Sequence, residues 1–377
     1  MGVRSVLFKK ILKSFNEKQQ PKQESIKISS SLTKNIELVK ELLNNADDLK
    51  IRVLDNGEAC LVYIESLVLS EKIQQNIFQP LYHKEVSNYS NLDYGNQLTL
   101  IDDIGKFLLK GHAVILQNNK NYGLSFNVLN TKLRNVQEPM NELVIRGSHD
   151  GFIEDISTNI NLIRKRIENY NLVVKYYSKG SQTNNKIAVV YLKGIASDDN
   201  VKEIERRIET IDSDMIISPG YIEEFVEDTP MSPFPQILST ERPDRTIANI
   251  LEGRIAIFSE GSPSCLIAPV SFFAFYQSPD DYNSRWISGT FLRLVRLTSF
   301  LIAIGLPSVY IAIIGFHFEV IPHDLIIPVK ASINEIPYPP IIEALMMVIV
   351  IELIREAGIR LRTYWSDNRY CWWFSYW

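Results

Sequence analysis

Residues Ile217–Arg254 read ISPGYIEEFVEDTPMSPFPQILSTERPDRTIANILEGR, and the reading of this stretch decides how the chain divides. Pro219, Pro230, Pro233, Pro235 and Pro243 stand here among many charges, just upstream of a strongly apolar region. Proline fixes φ and removes a backbone donor, so SPFPQ (Ser232–Gln236) cannot run through a helix interior or a central strand. It reads as an extended, rigid connector. Residues 1–250 are polar and charge-rich, whereas 262–354 are dominated by Ile, Leu, Val, Phe and Ala. A mean hydropathy of −0.05 averages over these unlike halves. The contrast predicts a soluble α/β region followed by α-helical transmembrane segments.

A length of 377 residues leaves room for two or more domains. With 22% charged residues and a net charge of −4, there is no electrostatic case for a nucleic-acid partner. Cys60, Cys265 and Cys371 are scattered and odd in number, which indicates neither a disulfide framework nor a zinc site and fits a reducing compartment. The start is basic through Arg4, Lys9, Lys10 and Lys13, with an apolar stretch of only Val6–Phe8, too short for a signal-peptide core. Residues 14–30 are polar and low in aromatics, so 1–30 reads as a basic, disordered N-terminus.

From Ser31 the soluble part alternates helical and strand patterns. SLTKNIELVKELL carries Leu32, Ile36, Val39 and Leu42–Leu43 at helical spacing. IRVLD and ACLVYIE flank Asn56–Gly57, a hairpin signal, and AVILQ and YGLSFNVL form a second strand pair around NNKN. IDDIGKFLLKG is a short helix ending at Gly111. After Gly147–Gly151 come a helix (DISTNINLIRKRIENY), two strands (VVKYYS, KIAVVYL) and a helix with an acidic first turn (DNVKEIERRIETID). This βαβ-like alternation predicts two α/β subdomains, 31–148 and 149–229, then a proline-rich connector and interfacial region over 230–296. No GxGxxG or GxxxxGK[ST] occurs, so no cofactor is expected. RGSHDGF (146–152) reads as a tight loop capping the next helix. Its alternative is acid–base chemistry by His149 and Asp150, which would make the chain a membrane-anchored α/β enzyme of unknown substrate.

Residues 297–316 (LTSFLIAIGLPSVYIAIIGF) contain no Asp, Glu, Lys or Arg, and at about 1.5 Å per residue they span the ~30 Å hydrocarbon core. Arg293 and Arg296 precede them, which puts the N-terminal side in the cytoplasm. Residues 339–354 (PPIIEALMMVIVIELI), closed by Arg355, form the second arm of an in–out–in hairpin over 297–358, with its segments at 297–318 and 339–357. Glu343 and Glu352 lie near the ends of this arm and fall on opposite helix faces, so they form no acid–base dyad and suit interfacial or inter-subunit contacts. Ser262–Ser278 is uncharged but interrupted by Pro263 and Pro269. It reads equally as an aromatic interfacial element or as a buried strand pair.

The ordered wording SPFPQ (Ser232, Pro233, Phe234, Pro235, Gln236), TERPDR (Thr240, Glu241, Arg242, Pro243, Asp244, then Arg245) and LEGR (Leu251, Glu252, Gly253, Arg254) resembles the A subunits of spore germinant receptors, the GerA-type family. The likeness runs from about Ile51 to Leu361. It implies nutrient-triggered germination by signal transmission and ion release, in the spore inner membrane with the soluble part cytoplasmic. It also implies a permease-like B subunit, a lipoprotein C subunit and membrane lipid as partners, homo-oligomer formation, and no catalysis. Germinant binding falls mainly to the partner subunit, so no ligand residues follow from the likeness.

After REAGIRL (Arg355–Leu361) the family continues into further membrane helices, whereas here RTYWSDNRYCWWFSYW follows. Trp has a single codon, TGG, so TGG before T reads as glycine one nucleotide later. Shifting the possible codons of Thr363–Trp377 permits PIGPTIGIVGGLVIG, an apolar, glycine-spaced text suited to helix packing in a membrane. The expectation is a frameshifted tail over 359–377, which would leave a truncated, inactive copy. Resequencing the locus should reveal a membrane-coding frame downstream of codon 362, and an uninterrupted reading with none would overturn this.

Overall fold

The structure is a computed structural model and describes residues 26–54, 57–82, 95–130, 142, 147–229, 231–232, 234–278, 281, 285–335 and 337–360. Residues 361–377 of the expected frameshifted tail and the basic N-terminus up to residue 25 lie outside the described residues; 359 and 360 continue the last helix. The chain falls into two compact units, 1–284 and 285–377.

The first unit opens with helix α1 (Leu32–Leu42), strands β1 (Leu49–Leu54) and β2 (Ala59–Ile64), strand β3 (Asn96–Leu98), helix α2 (Ile101–Leu109), and strands β4 (His112–Gln117) and β5 (Gly123–Asn127). The sheet order is β1-β2-β4-β5-β3 and every pairing is antiparallel. Side chains alternate across a strand. Cys60 and Val62 of β2 therefore meet Val39 of α1 and Ile104 and Leu108 of α2 on one face. Ala59 and Leu61 meet Ile73, Ile77 and Phe78, from the helical turns of residues 70–82, on the other. A sheet covered on both faces needs apolar residues at every position, which is how parallel strands also read. That is why the sequence suggested βαβ units where the structure has antiparallel hairpins.

The second half of this unit contains α3 (Ile156–Arg166), β6 (Leu172–Lys179), β7 (Asn185–Leu192), α4 (Asp198–Glu209), α5 (Pro219–Val226), β8 (Leu238–Thr240), α6 (Pro243–Leu251), β9 (Ile255–Ser259) and β10 (Cys265–Ala268). Its order, β6-β7-β9-β10-β8, is the first order with each strand number advanced by five. The match extends to register. Strand β3 ends at Leu98, α2 begins at Ile101, and Gly111 follows with φ +77°. Strand β8 ends at Thr240, α6 begins at Pro243, and Gly253 follows with φ +92°.

Buried asparagines repeat as well. Asn35 clamps the backbone of Ser29 through bonds of 2.8 and 2.6 Å. Asn159 clamps Ile153 in the same way at 2.9 and 2.6 Å. Around them NIELVK (35–40) and NINLIR (159–164) align without a gap. The first unit is one α/β topology built twice.

The second sheet does not stop at residue 229, where a connector was expected to begin. Strands β8, β9 and β10 and helix α6 belong to it, and Cys265–Ala268 is a buried central strand. Pro243 misled the reading because it occupies the first helical turn, where a missing N–H leaves nothing unpaired.

The two copies meet at a buried ion pair. Arg164 Nε and Nη2 donate to the Asp48 carboxylate at 2.5 and 2.7 Å, with side-chain exposures of 1% and 0%. The Ser66 hydroxyl adds a third donor at 3.0 Å, and Asn161 holds the Ser66 carbonyl at 2.6 Å. Next door, the Asp47 backbone donates to Val174 at 2.9 Å while its carboxylate accepts from the Tyr176 N–H at 2.8 Å. Asp47 thereby satisfies the open edge of β6 in place of another strand.

In the second unit, α7 (Trp286–Phe316) begins well before the expected Leu297 and runs through Pro307 for 31 residues. It is followed by α8 (His323–Glu335) and α9 (Pro340–Arg360). Among the described residues α7 is the one helix long and apolar enough to cross a membrane, and little of its apolar stretch is buried. Helix α9 carries Glu343, Glu352, Arg355, Glu356 and Arg360, too many charges to meet the same test. Removing one member of a buried pair strands the other charge, at a typical cost of ~3–5 kcal/mol. Arg164→Ala should therefore lower the urea midpoint sharply, while Asp48→Leu with Arg164→Met should recover most of the loss.

Candidate functional site

The cluster begins at Thr240, the last residue of β8, whose hydroxyl donates to the Glu142 carboxylate at 2.7 Å. The chain then turns through Glu241, whose carbonyl accepts from the Phe152 N–H at 2.8 Å, and enters α6 at Pro243. Arg242 between them is fully buried. Its guanidinium grips Asp244 with two bonds of 3.0 and 2.8 Å, and donates to the carbonyls of Glu142 at 3.1 Å and Ser148 at 2.8 Å. A desolvated guanidinium is tolerable only when its N–H groups are met in this way. One turn on, Arg245 donates to the Glu142 carboxylate at 2.7 Å and to the carbonyls of Ala274 and Gln277 at 3.3 and 3.2 Å.

Three separate pieces of chain converge on these two arginines. Glu142 and Ser148 belong to the segment between β5 and α3 that joins the two copies. Ala274 and Gln277 belong to the stretch that leaves the second sheet toward α7. Arg245 bridges the two, and Arg166 adds bonds to Ser148 and Asp150. Every one of these charges is matched, so the arrangement holds backbone in place and offers no reactive group. The Asp150 carboxylate is engaged by Arg166, and no group of metal-ligating side chains occurs among the described residues.

The other motif residues lie elsewhere. Glu252, Gly253 and Arg254 close the far end of α6, where Arg254 pairs with Glu252 at 3.4 Å. In SPFPQ, Gln236 staples the neighbouring loop, accepting from the N–H groups of Asp228 and Thr229 at 3.0 and 3.2 Å and donating to the Thr229 carbonyl at 2.7 Å. Ser232 Oγ binds both the N–H and the carbonyl of Phe234 at 3.2 Å. Pro233 lies outside the described residues and Pro235 is exposed. Glu343 stands in the first turn of α9 and Glu352 pairs with Arg355 on the same helix. Neither belongs to the cluster.

The repeat sorts these residues by what demands them. Aligning 99–111 (TLIDDIGKFLLKG) with 241–253 (ERPDRTIANILEG) pairs Asp102 with Asp244, Leu109 with Leu251 and Gly111 with Gly253, so the shared scaffold accounts for those three. Arg242 and Arg245 face Leu100 and Asp103, so the scaffold does not require them. Sequence reasoning missed Glu142, the shared acceptor, because nothing local marks it. A Cβ on Gly253 would sit 2.8 Å from the Ile195 carbonyl at φ +92°. Gly253→Ala should therefore cost about 1–3 kcal/mol, read as a lower melting temperature, whereas Glu252→Ala at the neighbouring exposed position should leave it nearly unchanged.

Comparison with known proteins agrees with this architecture. Residues 37–365 match the family described as Bacillus/Clostridium GerA spore germination protein. The chain is 38% identical over 350 residues to spore germination protein B1 of Bacillus subtilis, covering 89% of this chain and 72% of that one. It is 37% identical to spore germination protein KA of the same organism, covering 91% and 66%. It is 33% identical to spore germination protein GerLA of Bacillus cereus, covering 89% and 71%. The crystal structure of the N-terminal domain of the A subunit of the Bacillus megaterium spore germinant receptor GerK3 is 32% identical and superposes with a TM-score of 0.50, over 66% of this chain and 99% of that domain. The chain belongs to the GerA family of spore germination proteins.

Proposed function

We propose that this chain is an A-type subunit of a spore germinant receptor, and that its soluble unit relays a change in the paired α/β copies to the segment entering the membrane. The observation that carries this is Arg245, which bonds at once to Glu142 on the link between the copies and to the carbonyls of Ala274 and Gln277. A shift of one copy against the other displaces Glu142, and Arg245 transfers that displacement toward residues 278–285 and α7. Arg242 and Asp244 keep the node stiff, since bidentate pairing fixes angle as well as distance.

In this reading α7 and α9 form a multi-pass hairpin in the spore inner membrane. Arg293 and Arg296 hold the soluble unit on the cytoplasmic side, and Glu343 and Glu352 meet water, headgroups or neighbouring subunits. The partners are a permease-like B subunit, a lipoprotein C subunit and further copies of this chain, and the output is ion release. The membrane-anchored enzyme reading finds no support in the comparisons or in the pairing of Asp150.

The test is nutrient-triggered germination in a strain lacking its own copy, complemented with this chain or its variants. Arg245→Met keeps the aliphatic stem but removes the bridge. It should leave protein level and membrane fractionation normal while slowing ion release about tenfold, the scale of ~1.4 kcal/mol of lost coupling. Glu142→Gln, which keeps one acceptor, should give a smaller slowing. Normal release by Arg245→Met at normal protein level would overturn the relay.

A further inference from the structure

Two stretches far apart in sequence place aromatic rings on one exposed surface of the soluble unit. The SPFPQ loop carries Phe234, 63% exposed, next to the exposed Met231. The short helix Phe272–Tyr276 carries Phe272 and Phe273, the latter 62% exposed. The Phe234 and Phe272 rings meet edge to face with centroids 6.3 Å apart, and Phe272 also meets Phe273 at 5.9 Å and Tyr276 at 5.3 Å. This exposure is built. Ser232 closes a turn on both backbone groups of Phe234, and Gln236 fixes the loop behind it. The ring is thus held in water, an unfavourable place for apolar area unless something covers it.

Chemistry and tether both point to what covers it. Residues 262–278 contain no charged side chain. An uncharged, ring-rich patch suits the headgroup level of a bilayer, where aromatic side chains concentrate. Nine residues, 277–285, separate Tyr276 from Trp286, the first residue of α7. Fully extended they reach at most ~30 Å. A bilayer entered by α7 is therefore held permanently within reach, whereas a soluble partner must arrive by diffusion.

We infer that Phe234, Phe272 and Phe273 seat in the headgroup region of the lipid bilayer that receives α7, giving the coupling node a footing on the membrane. The inference rests on α7 being a membrane span. The rings carry no charge and the neighbouring Asp228 is paired with Arg207, so the contact is apolar and depends little on lipid charge or salt.

The experiment uses the full chain with Cys371→Ser and Phe273→Cys, labelled with an NBD fluorophore, in phosphatidylcholine vesicles that carry a nitroxide at the headgroup. Cys60 and Cys265 are buried, which keeps the label at one site. The label should lose most of its fluorescence, equally so when phosphatidylglycerol is added or salt is raised. Phe234→Cys should behave alike, and Lys34→Cys, exposed on α1, should stay bright. Carbonate extraction of the same vesicles separates the two readings. Release from the membrane overturns the span and the patch together. Retention with an unquenched label overturns the patch alone, as does a label shielded only by a second copy in a self-quenching assay.

Discussion

Asp48 and Arg164 carry opposite charges where neither touches water, one at the start of the first sheet and one on the helix that opens the second copy. Neither position is tolerable without the other, because a lone ion at such depth costs several kcal/mol. The residues beside this pair add to it and tie it to both sheets. Ser66 and Asn161 supply further bonds, Asp47 closes the edge of β6, and burial beside Asp48 pushes the Tyr176 hydroxyl above its usual pKa. A buried ion pair adds little net stability over an apolar contact, but it is intolerant of misplacement. Here that intolerance ties the two copies of one topology to each other where their edges meet.

The duplication changes what the family motifs mean. Three kinds of residue share the stretch from Thr240 to Arg254. Pro243 suits the first turn of a helix, and Asp244, Leu251 and Gly253 repeat features of the first copy. Arg242 and Arg245 have no such counterpart and instead reach out to the joining segment and to the exit toward α7. SPFPQ divides similarly. Ser232 and Gln236 shape a loop, whereas the Phe234 ring is largely exposed and meets only the edge of another exposed ring, Phe272. A motif read as a single label therefore resolves into scaffold, clamp and surface.

Much of this was legible in the residues. The turns around NNKN and after Asn56–Gly57 marked two hairpins, helical spacing marked α1, α3 and α4, and the uncharged run before Phe316 marked α7. Two further signals of the duplication lie in the residues themselves. NIELVK (35–40) and NINLIR (159–164) share Asn, Ile and Leu at matching positions, and their buried asparagines make the same clamp. LLKG and ILEG close matching helices.

What the sequence determined by itself is local, since periodicity, turn chemistry and apolar length act over one element at a time. It therefore sufficed for the strand pairs, most helices, the contrast between a charge-rich and an apolar part, and the family resemblance. Tertiary structure alone decided how the hairpins join into two sheets and in what strand order, because strands buried on both faces read as continuous apolar runs that name no neighbour. It also decided that TERPDR lies inside the second sheet's domain rather than in a connector. Proline at a helix start and proline in an extended linker look the same until the backbone around them is known. The bridge from Glu142 through Arg245 to Gln277 spans 135 residues of chain from first to last (277 less 142). No short-range rule connects partners so distant, so only the folded chain could bring them together.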